Sequence, residues 1–347
     1  MANLNARWIN IGFQVLAVCL ALLFTTTILI LAGAPPLEAY QQIIIGSVGS
    51  LRKISDVLVA WVPLLLVTSG LIVTFSAGLW NIGIEGQITL GAIFTTWALR
   101  LLQDSAMQPG LIIALSIFAG MVGGALWAAL AGALKTFGGV NEIFGGLGLN
   151  FVATALTLYL IFGPWKRPGI GSMSGTEPFP ETLWLPQLEN LRLSPYALVL
   201  AILSIGLIYI LMQGTYFGLK LKAVGKNMRA AFLLGIPTWQ YMMIAFVLCG
   251  VFAGLAGSIQ VTAVYHRLIP SISSGYGFLG LLVAMLINYR AIWAIPVALF
   301  YAALNIGSIQ LPIVLKLDSS LSGVLQGSLV LFVLMVDGLR QRLLRKA

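Results

Sequence analysis

The chain alternates between long apolar runs and short polar connections. A helix needs about 20 predominantly apolar residues to cross a hydrocarbon core. Such stretches fall at roughly 8–32, 57–77, 82–102, 110–134, 143–163, 195–214, 238–262, 275–290, 292–310 and 322–339. They predict an all-α polytopic membrane protein with about ten transmembrane helices in a single domain, 1–347. The eighth and ninth stretches are short and are separated only by Tyr289, Arg290 and Ala291, which suits tilted or partly re-entrant segments. Spans two to five and seven to ten make two sets of four, with the first and sixth left over. Paired halves are a common transporter plan, and the division suggests one, although residue identities between the sets do not prove it.

Arg7 precedes the apolar run from Ile9 to Leu31, and Ala32-Gly33-Ala34 has the small-residue look of a signal cleavage site. A cleavable apolar core is about 7–15 residues long, so this longer run, followed by Pro35, is expected to be a retained first span. Residues 33–56 form a connection in which Ile43 to Ile45 suit an interfacial helix. Residues 163–194 are the largest piece outside the spans, a loop with surface to offer a partner. Pro164, Pro168, Pro178, Pro180 and Pro186 deny it a long helix, while Trp165 and Trp184 suit interfacial anchors.

The most informative connection is 215–237, TYFGLKLKAVGKNMRAAFLLGIP. Lys220, Lys222, Lys226 and Arg229 place four positive charges within ten residues. Clustered Lys and Arg in a short loop mark the cytoplasmic side of a membrane. Gly225 is expected to loosen the chain, and Asn227 to cap a helix start. Met228 to Leu234 would form about two turns, Gly235 suits a left-handed stop, and Pro237 forbids simple continuation. A capped helix on the cytoplasmic face would be a docking element; an ordinary basic membrane-surface loop is the alternative.

Fixing this loop inside and alternating outward places both termini in the cytoplasm. Eleven cations then fall inside (Arg7, Lys135, the four of the loop, Arg290, Arg340, Arg342, Arg345 and Lys346) and eight outside.

Composition sharpens the class. With 59% hydrophobic residues, 8% charged and a mean hydropathy of +1.00, the chain cannot be an ordinary soluble protein, which carries about 25% charge. The net charge of +9 is explained by a basic cytoplasmic face against anionic membrane lipid, without nucleic acid. Cys19 and Cys249 fall inside apolar runs and suggest neither a disulfide nor a metal ligand. There is no G-x-x-x-x-G-K-[ST] nucleotide loop, and with one histidine and no buried acid pair no metal site or acid–base dyad is expected. The chain should bind no cofactor and should not be an enzyme.

Polar residues within apolar stretches are few, and ionisable ones at membrane depth default to functional candidates. Asn81 to Gln87, NIGIEGQ, interrupts an apolar hairpin, with Gly83 and Gly86 flanking Glu85. It is either a short cytoplasmic turn or an irregular segment lining a covered cavity. Asn141 is a plausible cap for a helix whose first turn holds Glu142, and Asn150, one to two turns deeper, suits either a pore or a hydrogen bond to a neighbouring helix. Gly250, Gly254, Gly257 and Ser258 recur on one face of span seven as a small-residue packing seam. Tyr276 and Phe278, in SISSGYGFLG, suit either stacking on a planar ligand or an aromatic belt. Asn288 and Asn305 are weaker pore candidates, and His266 is expected at the outer surface.

Several of these stretches resemble one family. Ala223 to Ile236 (A-V-G-x-N-x-x-A-A-x-x-x-G-I), N-I-G-x-E-G-Q with Gly91 and Ala92 after it, K-x-x-x-G-V-N-E-I from Lys135, G-Y-G-F-x-G and VLQGSLVLFVL from Val324 look like motifs of ABC importer permeases of the branched-chain amino acid/ribose type. The nearest branch serves simple sugars and nucleosides, and the resemblance covers 57–339. Asn288-Tyr289-Arg290 and Gly145-Gly146-Leu147-Gly148 depart from the family's pattern, which leaves substrate identity less defined than fold.

The resemblance implies a type II importer-like bundle in a prokaryotic plasma or inner membrane. It implies a second related permease subunit, an ATPase with two nucleotide-binding domains that carries ATP and Mg, and an extracytoplasmic solute-binding (lipo)protein. It implies ATPase coupling through Gly225, Lys226, Asn227, Arg229, Ala230, Ala231, Gly235 and Ile236, and docking or capping by Asn141 and Glu142. Asn81, Glu85, Gln87, Asn150, Tyr276, Phe278 and Asn288 would belong to the translocation path. The expected cargo is a neutral hydroxylated solute, nucleosides first and simple sugars otherwise. The competing class is an ion-gradient-driven secondary transporter or channel using Glu85.

Overall fold

The computed structural model describes Leu16, residues 19–169 and 175–318, and scattered positions from Leu321 to Gly338. The tenth expected span is described only at scattered positions, and most of the start of the first and the cations Arg7, Arg340, Arg342, Arg345 and Lys346 lie outside the described residues. Every regular element among the described residues is helical. The chain forms two compact units, one of residues 1–57 with 300–347 and one of residues 58–299.

In the first unit, α1 (Cys19–Leu31) and α2 (Pro36–Val48) meet at a bend of 111°. Pro36 at the first position of α2 suits a helix start, where its missing N–H costs nothing. Leu29, Ala34, Ala39, Ile43 and Leu311 bury together, and Tyr40 Oη lies 2.6 Å from Thr25 Oγ1 across the bend. Of the three isoleucines expected at an interface, Ile44 and Ile45 remain exposed, whereas Ile43 is buried in this unit's core.

The second unit carries α3 (Leu51–Ser76) from residue 58 onward, α4 (Ile84–Leu102), α5 (Pro109–Thr136), α6 (Glu142–Phe162) and α7 (Pro195–Gly214). Two short helices follow, α8 (Tyr216–Lys226) and α9 (Met228–Leu233), then α10 (Thr238–Ile259), α11 (Tyr276–Leu286) and the start of α12 (Ala294–Ser308). One π-helical stretch, Gln260–Tyr265, prolongs α10.

The packing centre is α4, α5 and α10, and it is built from small residues. A Cβ on Gly254 would strike the Gly120 carbonyl, and one on Gly91 would strike the Gly254 backbone. Gly124 and Gly250 meet in the same way, and Thr95 Oγ1 lies 2.8 Å from Ser258 Oγ. Without lipid–water contrast to drive helix association, such backbone approach supplies the van der Waals contact that holds a bundle together.

Neighbouring contacts sort the connections to two ends. Gly78 meets Gly225, Phe137 packs on Trp239, and Phe75 packs on Tyr289, so residues 75–78, 135–142, 213–239 and 288–290 share one end. At the other end, Thr176 N donates to Leu268 O and Leu185 N to Thr262 O, both at 2.9 Å, so 176–187 docks on 262–268.

Six helices among the described residues are long and apolar enough to cross a membrane, seven if α1 and α2 are one bent span. The expected ten therefore do not all appear as full spans. In α4, Glu85, Gln87 and Arg100 dilute nineteen residues, and α11 has only eleven. Both start inside the bundle. Asn81 bonds Cys249, which lies eleven residues beyond Thr238, about 16 Å along α10. Gly280 of α11 packs on Val67 and Leu71, well before the end of α3. These half-helices, so called because each starts inside the bundle, are the second member of each expected set of four.

Gly254→Leu should lower the stability of the detergent-purified chain by about 3 kcal/mol or more, because backbone atoms cannot move aside as flexible side chains do. Gly206→Ala, where a Cβ meets nothing within 4 Å, should leave stability unchanged or raise it by about 0.5–1 kcal/mol. Thermal midpoints of both variants check this.

Candidate functional site

Between α3 and α4 the chain leaves its helix at Ser76, turns at Gly78 and re-enters the bundle through NIGIEGQ. From Asn81 to Gln87 every residue but the half-buried Ile82 is buried, so polar groups there must find protein partners. Asn81 and Gln87 bracket it with a reciprocal amide pair: Asn81 Nδ2 donates to Gln87 Oε1 at 3.0 Å and Gln87 Nε2 to Asn81 Oδ1 at 2.9 Å. Asn81 Nδ2 also reaches Cys249 Sγ at 3.2 Å. Asn150 reaches in from α6, where its Oδ1 accepts from Gly86 N at 2.8 Å and its Nδ2 donates to Ile82 O at 3.0 Å. Gly83 and Gly146 touch through their backbones and bring α6 near enough for this.

Glu85 joins the second half-helix. Its side chain is only 7% exposed, and Oε1 accepts from Phe278 N at 3.0 Å in the first turn of α11. A carboxylate there meets free N–H groups and the positive end of the helix dipole, which offsets burial of its charge. Gly277 lets the carboxylate approach, because a Cβ there would lie 2.7 Å from Glu85 Oε1 and the side chain would have to shift. Asn81, Glu85, Gln87, Asn150 and the first turn of α11, with Tyr276 and Phe278, thus gather where the two half-helices begin. Asn288 does not join them; it sits exposed, with φ 49°, in the turn after α11 at the cationic end.

That end carries α8 and α9. Asn227 Oδ1 accepts from Ala230 N at 3.0 Å and starts α9. Gly235 at φ 80° stops it, with Ile236 N donating to Ala231 O at 3.1 Å and Gly235 N to Phe232 O at 2.9 Å, the paired bonds of a Schellman stop. Lys226, Asn227, Arg229 and Ala230 are exposed, Ala231 is buried and Ile236 is half-buried. Phe232, Leu233 and Leu234 are 65%, 78% and 80% exposed. Gly225 does not loosen the chain as expected. It is helical, and its missing side chain lets α8 lie against the backbone of Ser76, Ala77 and Gly78. At the same end Asn141 Oδ1 accepts from Ile143 N at 2.9 Å, and Lys135 Nζ pairs with Glu142 Oε2 at 2.6 Å, closing the turn between α5 and α6.

At the opposite end His266 is not on the surface but half-buried, stacked on Trp184 with ring centroids 3.7 Å apart. Trp184 is therefore an anchor of the loop, with Nε1 donating to Phe179 O at 2.8 Å. Trp165 instead lies under the Arg100 guanidinium at 5.7 Å. The sequence held no sign of the Trp184–His266 pair or of Cys249 beside Asn81. Their partners are distant along the chain and obey no periodicity.

Comparison with known proteins follows the same lines. Residues 53–334 match a family described as branched-chain amino acid transport system / permease component. The chain is 30% identical to the glucose ABC transporter permease protein TsgB13 of Haloferax volcanii over 94% of this chain and 88% of that one. It is 26% identical to the nucleoside ABC transporter permease protein NupB of Lactococcus lactis over 88% and 85%, respectively. It is also 26% identical to the guanosine ABC transporter permease protein NupP of Bacillus subtilis over 92% and 91%.

Glu85→Ala should cost about 2–3 kcal/mol by stripping a charge-assisted acceptor from buried N–H groups, whereas Glu85→Gln, which keeps an acceptor oxygen, should cost less than half of that. Paired melting curves read the difference. Burial lowers the His266 pKa below its ordinary 6.5, outweighing an opposing backbone bond at Thr262. The folded state thus favours the neutral ring: its contribution is complete above about pH 6.5 and is lost as pH falls below it. Wild-type protein should lose thermal stability between pH 7 and 5 by more than His266→Phe does.

Proposed function

Because the chain belongs to the branched-chain amino acid transport system / permease component family, we propose that it is the membrane-spanning permease subunit of an ATP-driven importer, working in a prokaryotic plasma or inner membrane. It is a transport subunit and not an enzyme; hydrolysis of ATP falls to a separate chain. The carrying observation is α9: a helix capped at both ends that presents Phe232, Leu233 and Leu234 outward from the cationic end of the bundle. An apolar knob set among cations, beyond the ends of the long helices, suits a protein cleft. We assign this end to the cytoplasm by its excess of Lys and Arg and the cleft to an ATPase with two nucleotide-binding domains. A second, related permease and an extracytoplasmic solute-binding protein complete the assembly.

The coupling route runs through contacts. A push on α9 reaches α8, whose Gly225 lies on Ser76 to Gly78. That turn leads directly into Asn81 to Gln87, and Glu85 holds the start of α11. Rigid-body displacement of packed helices is a known mode of switching. Here it would shift the two half-helices relative to one another and open the path at alternate sides. Asn81, Gln87, Asn150, Tyr276 and Phe278 are the groups assigned to that path.

The cargo proposed is a neutral, hydroxylated solute, nucleosides first and simple sugars otherwise. Relatives named for nucleosides, guanosine and glucose support it. Engagement of Glu85 by α11 also favours this reading over an ion-gradient carrier, which needs a carboxylate free to exchange its ion.

Purification of the tagged chain in gentle detergent from its native membrane should recover an ATPase and a second permease. Leu233→Asp/Leu234→Asp should lose the ATPase and keep the permease, with radiolabelled nucleoside uptake reduced at least tenfold. Wild-type chain recovered alone in several detergents would sink the proposal.

A further inference from the structure

Behind α8, at the cationic end, lies a cavity of about 770 Å³ whose lining includes Phe75, Lys222, Lys226, Asn288, Tyr289 and Arg290. All of these residues belong to the second compact unit. Three cations face one concave space, and no described carboxylate lies within ion-pair reach of any of them. Lys222 Nζ spends one N–H on Met212 O at 2.6 Å, which leaves two for a ligand. Lys226 and Arg290 are exposed. Uncompensated like charges around a cavity repel one another, and an anion between them removes that cost.

The walls are otherwise largely apolar, from Phe75 and Tyr289, which pack edge-on at 5.3 Å, to Leu219. The cavity thus offers a cationic site beside hydrocarbon-like surface. Its neighbour α8 has the character of an interfacial helix: Tyr216 and Leu219 stand exposed beside Lys220, while Leu221 and Val224 are buried. The turn that presents Arg290 is also strained, with Asn288 and Tyr289 both left-handed at φ 49° and 61°. Their N–H groups bond inward, to Met285 O at 3.0 Å and Ala284 O at 3.2 Å, so the turn is held in place from within. Left-handed non-glycine residues persist only where surrounding structure imposes them.

We propose that this cavity binds the phosphate headgroup of an anionic phospholipid, with Lys222, Lys226 and Arg290 on the phosphate and Phe75, Leu219 and Tyr289 against the glycerol and first acyl carbons. Basic pockets among membrane helices on the cytoplasmic side suit such headgroups. Bound there, the lipid would tie α8 to the end of α3 and the turn after α11, one step behind the docking helix. The inference does not depend on which solute is carried.

The test is native mass spectrometry of the full-length chain, delipidated in neutral detergent and titrated with phosphatidylglycerol or phosphatidylcholine of identical acyl chains. Wild type should retain one phosphatidylglycerol in preference to phosphatidylcholine. Lys226→Gln and Arg290→Gln should each weaken that binding roughly fivefold, about 25-fold together. Lys220→Gln/Arg229→Gln removes the same charge outside the cavity and should change binding less than threefold. Equal affinity for the two lipids, or equal loss in the control pair, would overturn the proposal. Displacement of the lipid by millimolar inorganic phosphate alone would overturn the lipid as the source of the anion. Lipid retention is read without transport, so either result leaves the importer reading to its own experiment.

Discussion

Irregular backbone inside an apolar bundle is tolerated only when every polar group has a partner. The structure depends on meeting that demand at one place. The turn before α4 carries its own amide pair, Asn81 with Gln87, and borrows a third amide, Asn150, from α6. Glu85 then faces the bare N–H groups of α11, so a single carboxylate satisfies the start of one half-helix from within another. Without these groups α4 would begin with unsatisfied donors in a buried interior, at a cost on the order of several kcal/mol, and α11 would lose its carboxylate acceptor.

The glycine seam explains why the arrangement is tight. The α4, α5 and α10 backbones touch at Gly91, Gly120, Gly124, Gly250 and Gly254, with no side chains to adjust between them. Interfaces of this kind move as one body. The first turn of α11 is tied to that body by the Glu85 bond, while Gly280 further along packs on Val67 and Leu71 of α3.

At the cationic end, adjacent short helices carry different chemistry. In α9 apolar side chains face outward and suit protein, whereas α8 combines buried leucine and valine with lysines around a cavity and suits the membrane surface. Asn227 separates them: it ends α8 and caps α9, so the chain changes direction within one residue.

Local signals determined much of this protein. Apolar run length set the class and most helices, the Asn227 and Gly235 signals set α9 to within a residue, and the small residues of span seven marked the seam correctly. These features were legible because each rests on neighbours within a few residues or on helical periodicity. Tertiary structure alone decided which helices begin inside the bundle, since α4 and α11 are apolar enough to look nearly complete and only their partners show where they begin. It also decided that Glu85 is bonded and not free, that Gly225 is a contact point and not a hinge, and that His266 stacks beneath a loop more than eighty positions away. The physical reason is shared: a hydrogen bond or a backbone contact between distant segments leaves no period in the sequence, and its existence depends on where packing brings the chain back.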